Sequence, residues 1–259
     1  MCTVVILYRP EHDWPLIIGA NRDEMRTRPW DEPGRHWEDR PHVIAGRDRL
    51  AGGTWLGMND DRLVAGILNR PNSLGPAVGK RSRGELPLDA LDHAEAHIAA
   101  EALAALDPSA YRSFNMVIGD TAGAYWITND ETTEGIRVHP VPVGVSMITA
   151  HDLNDDRSDR IRYHLPRFRA APAPDPDVDD WFAWEALLAD RSKECDASWS
   201  GSMAIAPESF APDETSGRAT FGTVCSSLIA LPAPGKGKKP VWRFAPGMPG
   251  ETPYQVVLI

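Results

Sequence analysis

Apolar residues fall in short alternating or unbroken runs along most of the chain, a pattern of strands more than of helices. The first two runs are Thr3-Val4-Val5-Ile6-Leu7-Tyr8 and Leu16-Ile17-Ile18-Gly19-Ala20, separated by the polar, proline-containing segment Arg9 to Pro15. Their β-branched content predicts a hairpin with a longer loop. If Tyr8 pairs with Leu16, the register sets Cys2 opposite Arg22. A second hairpin is predicted from Gly52 to Met58 and Leu63 to Leu68, with Asn59-Asp60-Asp61-Arg62 as its turn. Between the hairpins, Met25 to Arg47 is rich in Arg, Asp, Pro and Trp and reads as an ordered surface loop covering one end of the first strands.

The texture changes at Glu85. Leu86, Leu88, Leu91, Ile98, Leu103 and Leu106 lie in an Ala-rich stretch that fits one amphipathic helix closed by Asp107-Pro108. Phe114 to Ile118, Ala124 to Thr128, Ile136 to His139 and Val143 to Thr149 then read as a strand meander. Helices are expected over Asp155 to Ala170 and Asp179 to Ser192, with the Pro/Asp-rich 171–180 between them. Lys193 to Arg218 has little periodicity. Thr220 to Ile229, Val241 to Phe244 and Tyr254 to Ile259 return to strand. Strands, a helical stretch, more strands, two helices and final strands argue for α+β layering in a single domain, 1–259, without parallel β-α-β alternation.

Composition narrows the class. The chain has 259 residues and a formal charge of −10, which argues against nucleic acid or an anionic membrane as the main partner. No apolar run approaches the ~20 residues of a spanning helix, and the N-terminus lacks the pattern of a signal peptide. Three widely spaced cysteines match neither a disulfide framework nor a zinc site. A soluble cytoplasmic protein is expected, with no metal and no cofactor. His93 and His97 sit four apart, but no third ligand follows in a recognisable spacing, so an exposed helix face is the better reading. Trp30 and Trp37 with their neighbouring arginines could line a lipid or porphyrin pocket, although packing over the sheet is the default.

The N-terminus carries the chemistry. Removal of the initiator before a small residue would give Cys2 both a thiol and a free α-amino group. With a pKa of about 7.7–8.0, that amine could accept the thiol proton near neutral pH. Arg22 could favour the thiolate. Asp23 could orient the amine, as the third member of a triad orients its base. Asn69 and Asn154 follow strand ends and could donate to an oxyanion. Arg22, Asn21 and Arg70, in the two polar clusters that end the hairpins, are candidate substrate contacts. A small buried cysteine and a locally hydrogen-bonded hairpin end would produce the same residues.

The ordered set Met1-Cys2-Thr3, Ala20-Asn21-Arg22-Asp23-Glu24, Arg28-Pro29, Gly52-Gly53-Thr54-Trp55-Leu56-Gly57, Arg83-Gly84-Glu85, Phe114-Asn115 and Gly222-Thr223 resembles the NRDE family, also called the transport and Golgi organisation protein 2 family. That family in turn resembles the cysteine N-terminal-nucleophile hydrolases, among them bile salt hydrolases and penicillin V acylases. The match runs through Gly19-Ala20-Asn21-Arg22-Asp23 and Leu68-Asn69-Arg70-Pro71. The resemblance implies a four-layer αββα sandwich of two mainly antiparallel sheets, Cys2 as nucleophile, Asp23 near the amine, and Asn69 with Asn154 near the oxyanion. Two positions depart from it. Ala20 stands where the acylases place an arginine, and Val224 stands where family members often have one, with Arg218 as a possible substitute.

Two functions follow as expectations. One is an N-terminal cysteine amidohydrolase or acyltransferase acting on a linear amide or thioester of a small-molecule acyl ligand. The other is a non-catalytic protein handling a lipid or haem on the same scaffold, with a hydrophobic ligand and no covalent adduct.

Overall fold

The computed structural model describes residues 2–132, 135–193, 201–206 and 221–259. Tyr8 pairs with Leu16 and Thr3 with Asn21, so the first hairpin adopts the register expected from its hydrophobic runs. Its strands are β1 (Thr3–Tyr8) and β2 (Leu16–Met25). The second hairpin is also present, as β5 (Leu56–Asn59) and β6 (Val64–Asn69), although its first strand begins at Leu56 instead of Gly52 and runs into Asn59. The segment between the hairpins does more than cover strand ends: Trp30–Gly34 and Val43–Asp48 form β3 and β4, which pair with each other, and β4 pairs in turn with β5. Arg, Asp and Pro disguise these strands because β3 is an edge with a register irregularity between Asp31 and Gly34.

The helical stretch after Glu85 is also divided, into α1 (Leu86–Leu91) and α2 (Ala96–Ala104). Asp120 Oδ2 accepts the Ala96 N–H, fixing a new helix start where a continuous helix was expected. Then β7 (Phe114–Gly119), β8 (Ala124–Asn129) and β9 (Arg137–Pro140) extend the second sheet as a meander. The fourth expected member, β10 (Gly144–Ile148), leaves that sheet and pairs with β1. Periodicity identifies a strand but carries no record of its partner. Helices α3 (Asp159–Ala170) and α4 (Phe182–Leu188) precede β11 (Phe221–Leu231), β12 (Val241–Ala245) and the two-residue β13 (Gln255–Val256).

The sheet orders are β10-β1-β2-β11-β12-β13 and β3-β4-β5-β6-β7-β8-β9, antiparallel throughout. Alternation along β1 shows how they stack. Val4 and Ile6 join Ile44, Leu56, Met58 and Val117 in a layer between the sheets. Val5 and Leu7 point the other way, onto Ile161, Leu165, Trp184 and Leu188 of α3 and α4. On the far side, Ala65, Met116 and Ile118 pack under Leu91, Ala99 and Leu103 of α1 and α2. The result is helices, sheet, sheet, helices, the αββα architecture. Both faces of each sheet are covered, which explains why β1 and the first part of β2 are apolar on consecutive residues. No helix among the described residues is long and apolar enough to cross a membrane.

Candidate functional site

The pleat of β2 sorts the polar cluster Asn21-Arg22-Asp23 onto two faces of one sheet. Arg22 follows Ala20 into the inter-sheet layer, whereas Asn21 and Asp23 face the α3–α4 side. Cys2, one residue beyond the Thr3–Asn21 pair, comes opposite Arg22 by the same register, and Cys225 pairs with Arg22 from β11. The thiol is half-buried. Its Sγ lies 3.7 Å from the Asp23 carbonyl oxygen.

On the inner side, Arg22 is buried and ties the sheets together. Its Cζ stands 3.9 Å from the Trp55 ring centroid and 6.0 Å from that of Trp30. Its Nη2 is 3.6 Å from Asp48 Oδ2 at the end of β4. Asp48 is held below its ordinary pKa: burial works against this, but the Arg28 guanidinium and the Ala51 and Leu50 N–H groups prevail. Gly46 makes room for the stack, since a β-carbon there would lie 2.3 Å from the Trp55 ring. The other terminal nitrogen of Arg22, Nη1, is buried with no acceptor. Arg22 also lines a small pocket, with room for about 20 Å³, together with Cys2, Ala20, Trp55, Leu68 and Cys225.

On the outer side, the Asp23 side chain is fully buried. Its Oδ2 accepts from Arg160 Nη1 at 2.9 Å, and its Oδ1 accepts from Thr223 Oγ1 at 2.6 Å. Arg160 Nη1 also donates to Thr3 Oγ1 at 2.5 Å, so one guanidinium links α3 to both strands of the first hairpin. Thr223 in turn accepts the Ile205 N–H at 2.8 Å. Burial pushes the Cys2 thiol pKa up, while the chain-terminal ammonium and Arg22 pull it down and the Asp23 carboxylate adds to the rise. The resting group is therefore the thiol, and its use as a nucleophile requires a base. Cys225 is more deeply buried, and burial raises its thiol pKa as well.

The remaining residues singled out from the sequence separate into engaged and unengaged groups. Asn21 donates to the carbonyls of Leu188 and Met203 at 2.8 and 3.0 Å and accepts from Ser226 Oγ at 2.7 Å, fastening α4 and 201–206 to β2. Asn154 stitches the β10 edge: its Oδ1 accepts the Met147 N–H at 2.8 Å and its Nδ2 donates to Ser146 Oγ at 3.1 Å. Arg70 Nη1 donates to Asn115 Oδ1 and Thr128 Oγ1 and pairs with Asp152 at 2.7 Å. Asn69 differs, because its side chain makes no hydrogen bond among the described residues. It ends β6 opposite Phe114, immediately after the cavity-lining Leu68. The pleat places it on Phe114's side of the sheet, so its carboxamide reaches the cavity only by turning over the strand end.

Trp30 packs against the inter-sheet core and Trp37 against the α1–α2 core, the packing role expected for both. His97 pairs with Glu95 at 3.3 Å, and no cluster suited to a metal ion occurs among the described residues. Arg218 lies outside them.

Sequence reasoning passed over Arg160 and the Asp48 and Trp55 partners of Arg22. A signal existed for Arg160: positions 160, 161, 164, 165 and 168 share one helix face, and an arginine and a histidine among Ile161, Leu165 and Phe168 mark buried polar groups. Asp48 and Trp55 approach Arg22 from the other sheet and carry no comparable signal.

Solved structures of similar architecture include acylases and amidases. The Caenorhabditis elegans N-acylethanolamine-hydrolyzing acid amidase ortholog superposes with a TM-score of 0.57 at 14% identity, over 90% of this chain and 94% of its own. Penicillin V acylase from Agrobacterium tumefaciens gives 0.56 at 14% identity, over 95% and 83%. A mutant of the conjugated bile acid hydrolase from Clostridium perfringens gives 0.54 at 13% identity, over 100% and 97%. At these identities the likeness establishes the shared N-terminal-nucleophile hydrolase fold. No curated protein matches by sequence. Residues 1–237, however, match the family described as transport and Golgi organisation 2, and the chain belongs to that family.

Proposed function

We propose that this protein is an N-terminal cysteine hydrolase or acyltransferase acting on a linear amide or thioester. The observation that supports the reading is that Cys2 and Arg22 line one small pocket, with Arg22 Nη1 buried and without an acceptor. In this reading Met1 is removed and the exposed Cys2 amine takes the thiol proton, which a thiol of raised pKa needs. Sγ then attacks the acyl carbon. Arg22 Nη1 donates to the oxygen as it gains negative charge, and Asn69 is the candidate second donor. The C–N or C–S bond breaks, and the leaving amine or thiol carries away the proton held by the amine. Water, or an acceptor amine in a transferase, attacks the Cys2 thioester and restores the thiol. Asp23, fixed by Arg160 and Thr223, anchors the strand ends that hold the amine.

Intact-mass analysis combined with a thiol-reactive acyl analogue tests the proposal. The expected result is a chain lacking Met1 that gains one adduct at Cys2, with no adduct in Cys2→Ala. Retention of Met1 in active protein would overturn it. Saturable binding of a hydrophobic ligand by Cys2→Ser, with no adduct or turnover by the wild type, would favour the non-catalytic role instead.

A further inference from the structure

The Cys2 pocket has room for about 20 Å³, enough for a reacting carbonyl and little else. The rest of a linear substrate therefore lies along the rim, and recognition of that part falls to rim residues. Arg83, which the proposed mechanism leaves unused, stands there.

Its segment is pinned beside the pocket. The Gly84 carbonyl accepts the Thr54 N–H at 2.8 Å, and a β-carbon on Gly53 would lie 2.4 Å from the Gly84 carbonyl carbon. The backbone after Arg83 thus rests against the two residues that precede pocket-lining Trp55. Arg83 Nη1 donates to the Ser113 carbonyl at 2.8 Å, one residue before Phe114, which pairs with Asn69. The same nitrogen donates to Ser73 Oγ at 2.7 Å, and that hydroxyl donates to the Arg70 carbonyl at 2.8 Å. These contacts hold the guanidinium at the strand ends next to Leu68, which lines the pocket. The nucleophile is close enough to act on it: burial, then Arg112, bring the Arg83 pKa down to about 10, while Glu131 and Cys2 oppose.

This anchoring occupies one nitrogen. Nε and Nη2 make no hydrogen bond among the described residues and, unlike Arg22 Nη1, are not closed off from solvent. The neighbouring polar groups are committed elsewhere. Arg70 pairs with Asp152 at 2.7 Å, Arg112 donates to the carbonyls of Asn72, Leu74 and Gly75, and Glu131 accepts the Ser113 N–H at 2.7 Å. Arg83 is left half-buried beside a second arginine, with no ion-pair partner among the described residues, in a chain whose formal charge is −10. An anion that supplies acceptors relieves the cost of such a guanidinium. The Nε–Nη2 edge presents two parallel donors, which match the two oxygens of a carboxylate. We propose that Arg83 binds a carboxylate carried by the linear amide or thioester whose acyl carbon Cys2 attacks, so that the substrates are anionic. The role as substrate contact rests on the hydrolase or acyltransferase reading; the carboxylate site itself does not.

Two measurements test this separately. The first needs no chemistry: the full chain carrying Cys2→Ala is titrated with succinamate and glutaramate, and with the neutral succinamide and glutaramide, while NMR reads the Arg83 Nε–H resonance. At least one carboxylate is expected to shift it saturably and to bind roughly tenfold tighter than its neutral counterpart, the contribution of a charge-assisted pair open to solvent on one side. The second follows transfer of the acyl group to Cys2 from the phenyl thioester of glutaric acid and from that of its monomethyl ester, by intact mass. The free acid is expected to acylate faster by a similar factor, and Arg83→Met should bring the two rates to parity. Equal binding of charged and neutral amides, or a charge preference that survives in folded Arg83→Met, overturns the proposal. Acylation of Cys2 without charge preference would remove Arg83 and leave the enzyme reading in place. A carboxylate-specific Arg83 shift without any acylation would do the reverse. If Arg83→Met does not fold, the paired probes on the unsubstituted Arg83 chain still decide.

Discussion

The Trp55 ring lies under the Arg22 guanidinium, 3.9 Å from centroid to Cζ, and this contact joins the two sheets at the edge of the Cys2 cavity. Trp30 meets Trp55 edge-on at 5.7 Å, so the guanidinium sits in an aromatic corner closed on its polar side by Asp48. A lysine at position 22 would reach either the ring or the carboxylate, because an ammonium lacks a planar face that stacks while its edge bonds. Arg22→Lys is therefore expected to lose roughly 2 kcal/mol of stability, and Trp55→Leu a similar amount. The double variant should lose clearly less than the sum, since both changes remove one interaction. Denaturant unfolding of the four proteins measures the coupling, and strict additivity would show that the stack contributes nothing.

Arg22 also acts on Cys2 electrostatically, pulling down a thiol pKa that burial raises. Removing the guanidinium while keeping a polar side chain, as in Arg22→Gln, should move the pH dependence of Cys2 alkylation to higher pH. At a fixed pH near neutrality the rate should fall in proportion to the lost thiolate. Iodoacetamide labelling followed by mass spectrometry of the Cys2 peptide reads this directly. An unshifted profile would remove Arg22 from the electrostatics of the site.

On the helix side, the Arg160–Asp23 pair has both side chains almost wholly shielded from solvent. Loss of one partner strands the other charge in an apolar interior. Arg160→Leu is accordingly expected to destabilise the fold by about 3–5 kcal/mol, far more than removal of a surface ion pair. Thermal unfolding of Arg160→Leu beside Arg35→Leu, whose Asp60 partner is exposed, makes the comparison. Equal losses would contradict the buried-pair account.

What the sequence reveals and hides follows from the same geometry. The register of β1 against β2 was legible because two apolar runs flank one loop, and that register alone sets Cys2 opposite Arg22. The transfer of β10 to the other sheet was not, since Gly144–Ile148 reads equally well as the next strand of a meander. Arg22 and Asp23 are neighbours in sequence, and only the pleat shows that they serve opposite faces. Asn69 and Asn154 look alike as strand-end carboxamides. The positive φ of 58° at Asn154, which turns its side chain back onto β10, distinguishes them, and no residue pattern announces it.

A buried histidine on α3 gives the fold a defined acid sensitivity. His164 is fully buried, and its pKa is lowered to about 4, first by burial and further by Arg167 and Arg160, with Asp190 and the Gly201 carbonyl opposing. In the unfolded chain it titrates near its ordinary 6.5. Between those values the unfolded state binds a proton that the folded state refuses, so stability is complete above about pH 6.5 and falls as the pH drops toward 4. At 1.36 kcal/mol per pH unit the loss across that window is roughly 3 kcal/mol. Carboxylates held low, such as Asp48 and Asp190, lose their contribution only at lower pH, which separates the two effects. His164→Gln keeps a donor for the Gly201 carbonyl, which His164 Nε2 meets at 3.1 Å, but removes the titration. Urea midpoints measured from pH 7 to 4 should decline for the wild type and stay nearly level for His164→Gln over the same range. Parallel declines would assign the acid sensitivity to other groups.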